Sequence, residues 1–346
     1  MVFNSQTFFV MCSKYTNMKF PIKITQHGTL TVYWKLTDFC NFKCNYCPAA
    51  LHSGNFARGI TPGFPTDAEI FKFLDRLESI VVTKDLALQV QFGGGEPTLH
   101  PLLPDIIKRL KQFCQRIGVT TNGSRTIEWW QKVLPLNNVT ISLHHEFTNM
   151  QKVNELGNFI VENNASSLEY HLSCDPNYWA DVMHIYDSLD DKLKPHVSPK
   201  VLNSMDSSNK INFTYTDAQK EWIEEINSKY PTQKRPVPAA SSYIVHFSDG
   251  SEEKFSLARM AINDWNQFKG WKCNVASECI TVNFDGTVSA GVCEVKKLGT
   301  LTNFSLDREP LICPFSHCAY PGDMRASKEK IRKIYQLKGN FFQSNT

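Results

Sequence analysis

The sequence lacks the features that would send a protein to or across a membrane. Its 346 residues carry a net charge of only +3, which is too small to indicate a nucleic-acid or membrane partner. The apolar run Phe8–Cys12 is short and follows no basic residue, whereas a membrane span needs about 18 apolar residues and a secretory signal needs a basic start. Internal repeats and low-complexity segments are also missing. We therefore expect a protein of the reducing cytoplasm without a membrane partner.

A disulfide framework is not expected either. The chain has 11 cysteines, but disulfides are rare in a reducing compartment, particularly in a chain this long. Clustered cysteines then indicate a metal ion or an iron–sulfur cluster. Most of them fall into two groups, a triplet near the start and five near the end: Cys40, Cys44, Cys47, Cys273, Cys279, Cys293, Cys313 and Cys318. The others are isolated and are interpreted as ordinary residues.

The pattern of the first two thirds predicts an α/β fold. Strand-like runs alternate there with helical patterns, which is typical of a parallel sheet. The strands alternate apolar and polar residues, as where Leu88, Val90 and Phe92 alternate with Gln89 and Gln91. An apolar face would pack on helices and a polar face would line a wet cavity, whereas a closed eight-stranded barrel fills its interior with apolar side chains. We therefore predict a partial (β/α)6 TIM-like barrel that is open enough to hold ligands.

The individual elements can be placed from the same patterns. The predicted strands are Leu30–Leu36, Ala87–Phe92, Arg116–Thr121, Asn138–Leu143, Leu168–Ser173 and His196–Val201. A capping box, Thr66 with Glu69, opens the first helix. Further helices are predicted over 103–113, Ile127–Leu134, Asn149–Asn163, Asn177–Leu189 and Asp217–Ser228. After a Pro-containing linker near residues 234–238, two hairpins are predicted over 243–255 and 280–292, the second with an Asp-Gly turn.

The cysteine triplet has the spacing of an iron–sulfur ligand set. Cys40, Cys44 and Cys47 lie in a loop directly after the first predicted strand. Three thiolates so close together can hold three irons of a four-iron cluster, and the lack of a fourth cysteine nearby leaves one iron open to an external ligand. Phe42 and Tyr46 lie between the thiolates and would screen the cluster from water. A zinc site fits less well, because it usually needs four protein ligands in two close pairs.

The triplet, with an aromatic residue before its last cysteine, resembles the signature of the radical S-adenosylmethionine (radical SAM) superfamily. Three more motifs follow in that family's order, each at the end of a predicted strand: Gly93–Pro97, Thr121–Gly123 and Ser142–His144. A glycine run alone would be weak, but four matches at strand carboxyl ends are specific, because barrels place their sites there. The resemblance covers about residues 30–200 and 270–325.

That resemblance implies two cofactors, a [4Fe-4S] cluster and S-adenosyl-L-methionine, and an external electron donor such as flavodoxin or ferredoxin. The methionyl amino and carboxylate groups would bind the open iron. The Gly94–Glu96 segment would hydrogen-bond the amino group, since glycine lets the backbone come close, and the Tyr46 backbone would lie near adenine. The implied cofactor-binding residues are Tyr46, Gly94, Gly95, Glu96, Thr121, Asn122 and Ser142.

The second cysteine group resembles the auxiliary-cluster domains called twitch or SPASM. Its five cysteines are one more than a single [4Fe-4S] cluster needs. The favoured ligands are Cys273, Cys293, Cys313 and Cys318. Cys279 could displace one of them, and a structural zinc ion is the alternative occupant. His317 is interpreted as a packing residue.

The implied organisation has four parts. An N-terminal extension covers residues 1–29, the barrel 30–235, a small α+β auxiliary-cluster domain 236–325, and a C-terminal helix or tail 326–346. The basic stretch Arg325–Lys338 repeats apolar residues at helical spacing, which predicts a solvated amphipathic helix; a phosphate-binding arm is the alternative.

The substrate is expected on the polar face of the sheet. Lys35, Gln89, Gln91, His144, Glu169 and His171 all project from strands toward that face. Of these, His144, Glu169 and His171 are predicted to be catalytic, while His144 and His145 point to opposite faces and cannot easily share a metal ion. Few residues precede the first strand, so we expect a small polar substrate, such as a sugar, nucleoside or cofactor precursor, rather than a leader-guided peptide. A peptide-modifying maturase and a non-catalytic electron-transfer protein are the alternatives.

Overall fold

The computed structural model describes residues 19–26, 28–47, 64–202, 213–229, 243–254, 260, 265–318 and 320–331. Six parallel strands form its centre and confirm the predicted sheet. They are β2 (Thr29–Thr37), β3 (Ala87–Gly94), β4 (Arg116–Thr121), β5 (Asn138–Leu143), β6 (Ser167–Cys174) and β7 (Val197–Val201). Each pairs with the next in chain order. Within the described residues β7 is the last strand of the sheet, so the barrel is partial, as predicted.

Helices connect and cover these strands. They are α1 (Asp67–Thr83), α2 (Leu103–Leu110), α3 (Ile127–Gln131), α4 (Met150–Glu162), α5 (Trp179–Asp187) and α6 (Asp217–Lys229). The predicted capping box opens α1, because the Glu69 amide donates to Thr66 Oγ1 and the Thr66 amide donates to Glu69 Oε2. Helix α3 is shorter than predicted, since the residue before a proline avoids helical geometry and Pro135 follows it closely. A 3₁₀ turn, Pro176–Tyr178, replaces the predicted start of α5.

The apolar and polar faces of the sheet lie as the alternation predicted. Val32, Trp34 and Leu36 of β2 are buried in one core with the inward face of α1. The Trp34 ring packs edge-on against Phe73 of α1, with centroids 5.1 Å apart, and each such buried side chain contributes about 1.5–3 kcal/mol. The alternate positions of the strands, such as Gln91 and Thr120, turn to the opposite face, where their side chains hydrogen-bond each other.

The C-terminal part continues the same sheet. Strand β11 (Cys279–Val282) pairs in parallel with β2, and β12 (Thr287–Ala290) pairs with β11 as the predicted hairpin. Strands β13 (Lys296–Thr300) and β14 (Asn303–Phe304) complete ten strands. The pairing of β11 with β2 was not predicted, because a hairpin's own pattern does not say which edge it joins. The four-part domain division stays a prediction, although its second and third parts share this sheet.

A second, smaller sheet joins the two ends of the chain. Its order is β15 (Leu311–Ile312), β10 (Lys272–Cys273), β16 (Lys328–Glu329), β1 (Pro21–Gln26), β8 (Tyr243–Phe247) and β9 (Glu252–Lys254). Strands β8 and β9 form the predicted first hairpin. Two short helices occur in this part of the chain. Helix α7 (Val275–Glu278) follows β10, and helix α8 (Pro321–Arg325) precedes β16. Among the described residues, no helix has the length and apolar character needed to cross a bilayer.

The stretch predicted as a C-terminal amphipathic helix differs in the structure. Its described part contains strand β16, which pairs with β1 on one side and β10 on the other. Tertiary pairing on both edges outweighs the local helical pattern there, since most helix stability in proteins comes from packing rather than propensity. Residues 332–346 of the predicted helix lie outside the described residues.

Candidate active site at the strand ends

The three cysteines of the triplet line one cavity of about 140 Å³ at the carboxyl ends of β3, β4 and β5. The resemblance places its cofactor-binding residues around the same point, and the cavity contains nearly all of them. Its lining is Cys40, Phe42, Cys44, Cys47, Gly93, Gly94, Gly95, Glu96, Thr120, Thr121, Asn122, Ser142 and His144. The sequence-predicted residues are therefore brought together, with Tyr46 adjacent in the cysteine loop.

Backbone hydrogen bonds from the end of β3 hold the cysteine loop in place. The Gly95 amide donates to the Thr37 carbonyl at 2.8 Å, and the Glu96 amide donates to the Phe39 carbonyl at 2.7 Å. Both acceptors lie within three residues of Cys40. The glycine motif thus holds the loop that carries the thiols. From the sequence, only a contact between this motif and the cofactor was predicted.

The three glycines of this motif face different surroundings. A Cβ on Gly95 would lie 2.1 Å from the Phe39 carbonyl oxygen, and one on Gly94, whose φ is +110°, would lie 2.6 Å from the Thr37 carbonyl oxygen. A Cβ on Gly93 would meet no atom within 4 Å. Gly94 and Gly95 are thus required by the close approach of the cysteine loop, and Gly93 is the glycine that leaves room in the cavity.

Glu96 ties the ends of two strands together. Its carboxylate is almost fully buried, with 1% exposure. It accepts hydrogen bonds from the Thr98 amide and hydroxyl, the Thr121 hydroxyl and the Asn122 amide, at 2.6–3.0 Å. Burial raises the pKa of Glu96, while these hydrogen bonds act in the opposite direction. The carboxylate and the Thr121 hydroxyl are therefore hydrogen-bonded to each other and to neighbouring protein groups.

The thiol of Cys40 is hydrogen-bonded by its surroundings. The Phe42 amide donates to Cys40 Sγ at 3.3 Å, and Asn122 Nδ2 lies 3.9 Å from the same sulfur. Hydrogen bonds to ligand sulfurs tune the potential of iron–sulfur clusters. Burial raises the pKa of Cys44 to about 12 and that of Cys47 to about 11. Bound iron would reverse this effect, because a coordinated thiol loses its proton to the charge of the metal.

The loop after β5 packs on the cysteine loop. Tyr46 Oη lies 2.6 Å from His144 Nδ1, and the two rings stack. The Glu146 carboxylate accepts a hydrogen bond from the Asn45 amide at 3.0 Å. Burial, followed by the nearby His145, lowers the pKa of His144 to about 4, so its ring is neutral. His144 lines the cavity, as its strand position predicts. The contacts of Glu146 and of the Tyr46 hydroxyl were not predicted, because strand spacing does not indicate contacts between loops.

Glu169 and His171 form a polar group on the inner face of β6. His171 Nε2 lies 3.3 Å from Glu169 Oε1, and Lys200 Nζ of β7 lies 3.9 Å from the same oxygen. None of the three lines the cysteine cavity, but His171 is the register partner of Ser142, which does. Lys200 was not among the predicted site residues, although it lies on the predicted strand His196–Val201.

The other predicted inner-face residues contact protein groups. Lys35 Nζ lies 2.5 Å from Glu294 Oε1, beside the second cysteine group. Gln91 Nε2 donates to Thr120 Oγ1 at 3.0 Å. Gln89 is buried at 7% exposure. None of these three lines the cysteine cavity.

The second cysteine group surrounds a larger cavity of about 390 Å³. The cysteines in its lining are Cys273, Cys293, Cys313 and Cys318. Cys279 is absent from this lining: it is 1% exposed, and its Sγ donates to Asp323 Oδ1 at 3.5 Å. His317 lines the cavity as well, near its exposed rim.

Asp323 organises one side of this second cavity. Its carboxylate is 2% exposed and accepts hydrogen bonds from the amides of Val292 and Cys293, both at 2.7 Å. Lys328, at 3% exposure, also lines the cavity. The sequence analysis identified neither residue, because both lie after the last cysteine and carry no motif of their own.

The donor sets fit clusters better than single ions. Within the described ranges, no three His, Cys, Asp or Glu side chains converge closely enough to hold one metal ion. A four-iron cluster makes a different demand, since each thiolate binds a separate iron. Three thiols at one cavity and four at the other suit a cluster with an open iron and a fully ligated cluster, respectively.

The sequence of this chain is similar to known proteins over the region that contains the first cavity. Residues 34–161 match the family model of the Radical SAM superfamily. The chain is 36% identical over 112 residues to a GTP 3′,8-cyclase of Streptomyces coelicolor, and the match covers 31% of each protein. It is 30% identical over 132 residues to a GTP 3′,8-cyclase of Pasteurella multocida, covering 35% of this chain and 37% of that one. The matched stretch thus spans about a third of the length of these relatives.

Two solved structures share the fold. One is native anSMEcpe with bound AdoMet and a Cp18Cys peptide, with a TM-score of 0.52 and 15% identity over 80% of this chain and 79% of that one. The other is Streptococcus suis SuiB bound to the precursor peptide SuiA, with a TM-score of 0.51 and 13% identity over 87% and 67%. Identities this low concern the fold alone. The family model over residues 34–161, together with the four motifs gathered at the strand ends, identifies a radical SAM domain in this part of the chain.

Proposed function

We propose that this protein is an enzyme that binds a [4Fe-4S] cluster through Cys40, Cys44 and Cys47 and S-adenosyl-L-methionine at the remaining iron. The observation that carries the proposal is the single cavity in which these three thiols meet the glycine motif and the ends of β4 and β5. When bound, the cluster supplies one electron that cleaves S-adenosyl-L-methionine to methionine and a 5′-deoxyadenosyl radical, which takes a hydrogen atom from the substrate.

The chain's own residues would bind and orient the cofactor. Gly93 leaves space for it, and the backbone of Gly94–Glu96, held by the cysteine loop, would present carbonyl acceptors to the N–H groups of the methionyl amino group. Asn122 and Ser142 line the same cavity on the next two strands. Phe42, whose ring stacks on Phe147 at 5.3 Å, would exclude water from one side of the cluster, which also protects reactive intermediates.

For the second cavity, we propose an auxiliary [4Fe-4S] cluster with Cys273, Cys293, Cys313 and Cys318 as ligands. All four thiols line one cavity, and Cys279 is outside it with a carboxylate partner of its own. That arrangement supports the ligand choice made from spacing. An external donor such as flavodoxin or ferredoxin would supply electrons.

The substrate is proposed to be a small polar molecule held near Glu169, His171 and Lys200. An imidazole and an ammonium that each lie within 4 Å of the same carboxylate oxygen offer both donors and acceptors, which suits a molecule rich in hydroxyl or charged groups. The relatives named GTP 3′,8-cyclase make nucleoside triphosphates the first candidates to test. A peptide is the second candidate, since SuiB, which shares the fold, was solved with one.

The test is cofactor cleavage by anaerobically reconstituted protein. With dithionite and S-adenosyl-L-methionine, we expect formation of 5′-deoxyadenosine that depends on both reagents. Cys174→Ala is the matched control, because this buried cysteine lines neither cavity, and it should retain the activity. Iron without any 5′-deoxyadenosine would favour the electron-transfer alternative, and zinc as the only metal would overturn the proposal. Adding nucleotides or peptides then identifies the class that consumes the radical.

A further inference from the structure

Lys328 is a buried ammonium on the wall of the second cavity. Lys328 is the first residue of β16, and only 3% of its surface is exposed. It lies directly opposite Cys273 in the antiparallel pairing of β10 with β16. Opposite residues in such a pair project to the same face with Cβ atoms about 5 Å apart. The ammonium therefore stands beside a thiol that we assign as a cluster ligand.

The hydrogen bonds of this ammonium go to backbone carbonyls. Lys328 Nζ donates to the carbonyls of Asp323 and Ala326, the latter at 2.9 Å, and it lies 5.0 Å from the centre of the Phe268 ring. The described residues place no carboxylate oxygen within 4 Å of it, because the Asp323 side chain is bonded to two amides instead. Glu278 acts on it only from a longer distance.

A buried cation without an ion-pair partner is costly unless an anion stands nearby. A cluster held by four thiolates is anionic in both oxidation states, and reduction adds one more negative charge. The ammonium would therefore stabilise the reduced form more than the oxidised form. Net charge near the sulfurs is among the factors that set the potential of iron–sulfur clusters.

We infer that the positive charge of Lys328 raises the reduction potential of the auxiliary cluster, so that this cluster accepts an electron more readily than its thiolates alone would allow. The inference rests on the auxiliary cluster of the proposed function. It concerns a one-electron couple in which the reductant, dithionite in the test, supplies the electron and the cluster takes it up.

The test is a redox titration of reconstituted full-length protein, followed by EPR. Lys328→Met keeps the apolar stem and removes the charge, and Lys328→Gln keeps an N–H donor for the Ala326 carbonyl. In both variants we expect the ratio of reduced to oxidised auxiliary cluster at a fixed potential to fall at least tenfold, which is a shift of about 59 mV for one electron. Lys328→Arg should restore it. The signal of the first cluster should not move.

Lys272→Met is the matched control, because this exposed lysine neighbours Cys273 on β10 and points to the opposite face. It should leave the potential unchanged. A retained auxiliary cluster with an unaltered potential in Lys328→Met and Lys328→Gln would overturn the inference and leave the proposed function intact. Wild-type protein with only one cluster would remove both the auxiliary cluster and this inference. If Lys328→Met fails to fold, the Gln variant alone decides, with iron content and thermal midpoint as checks.

Discussion

The two cysteine cavities are built in different ways. In the first, one loop supplies all three thiols, and two amides at the end of β3 hold that loop. In the second, the thiols come from four separate places between residues 273 and 318, joined by strand pairing and by the Asp323 carboxylate. A site made by one loop is visible in a short motif, whereas a site made by tertiary contacts shows only scattered ligands.

Both cavities nevertheless use a buried carboxylate to fix their surroundings. Glu96 accepts from the Asn122 amide beside the first cavity, and Asp323 accepts from the Cys293 amide beside the second. Hydrogen bonds to a charged group contribute about 1.5–3 kcal/mol each. The carboxylate oxygens of both residues accept hydrogen bonds from protein groups, so we expect each to position the residues around its cavity.

The largest expected difference between the cavities is in cofactor cleavage. Replacing Cys40, Cys44 and Cys47 together by alanine should remove about four of about eight irons per chain and abolish 5′-deoxyadenosine formation, because three thiols leave one iron without a cysteine ligand, whereas the second cavity offers four thiols. Iron analysis and product chromatography check this. Cys114→Ala should behave as wild type, since its thiol donates to backbone carbonyls outside both cavities. Cleavage that survives the triple change would refute the assignment.

Glycine substitutions should separate the two cavities. Gly95→Ala forces a Cβ against the Phe39 carbonyl, and Gly291→Ala places one 2.6 Å from Val275 Cγ2 and 3.0 Å from Cys293 Sγ. Such overpacking costs about 1–3 kcal/mol, so the first change should deplete the first cluster and the second change the auxiliary one. EPR of the reduced proteins distinguishes them. Gly93→Ala, which meets open space, should keep both clusters; equal damage by Gly93→Ala would contradict the assigned roles.

Single cysteines of the second cavity should have graded effects. Cys293→Ala should lose the auxiliary cluster, yet leave some 5′-deoxyadenosine formation that is uncoupled from substrate. Cys279→Ala should be the mildest of the five changes, because its thiol is buried outside the cavity. Iron content and the product-to-5′-deoxyadenosine ratio report both. If Cys279→Ala proves as damaging as Cys273→Ala, Cys279 belongs to the ligand set.

The smallest effect is expected at the polar group on β6, outside the lining of both cavities. Glu169→Ala and His171→Ala should spare both clusters and lower substrate turnover relative to cofactor cleavage about tenfold, equivalent to about 1.4 kcal/mol. Their ring and carboxylate lie 3.3 Å apart, so the double variant should lose little more than either single one. If the ratio of substrate turnover to cofactor cleavage is unchanged in Glu169→Ala and in His171→Ala, the substrate binds elsewhere.

The sequence predicted the six-stranded centre and the first cavity well. Strict alternation fixes which face of a strand is buried, and each motif follows a strand whose carboxyl end must meet the others at one edge of the sheet. The pairing between distant strands could not be predicted in this way. Nothing in the sequence of Cys279–Val282 indicates that β2 is its neighbour, and nothing around Lys328 indicates that it is buried. Those outcomes depend on contacts between residues that are far apart in the chain.

The pairing of β11 with β2 also constrains when the protein can fold. The end of β2, at Thr37, and the start of β11, at Cys279, are about 240 residues apart. At a synthesis rate of about 5–20 residues per second, β2 would wait roughly 10–50 s for this partner. Strand β1 waits longer still for its second neighbour, β16, which begins at Lys328. During translation the nascent chain therefore carries open strand edges, which expose it to aggregation until its last strands emerge.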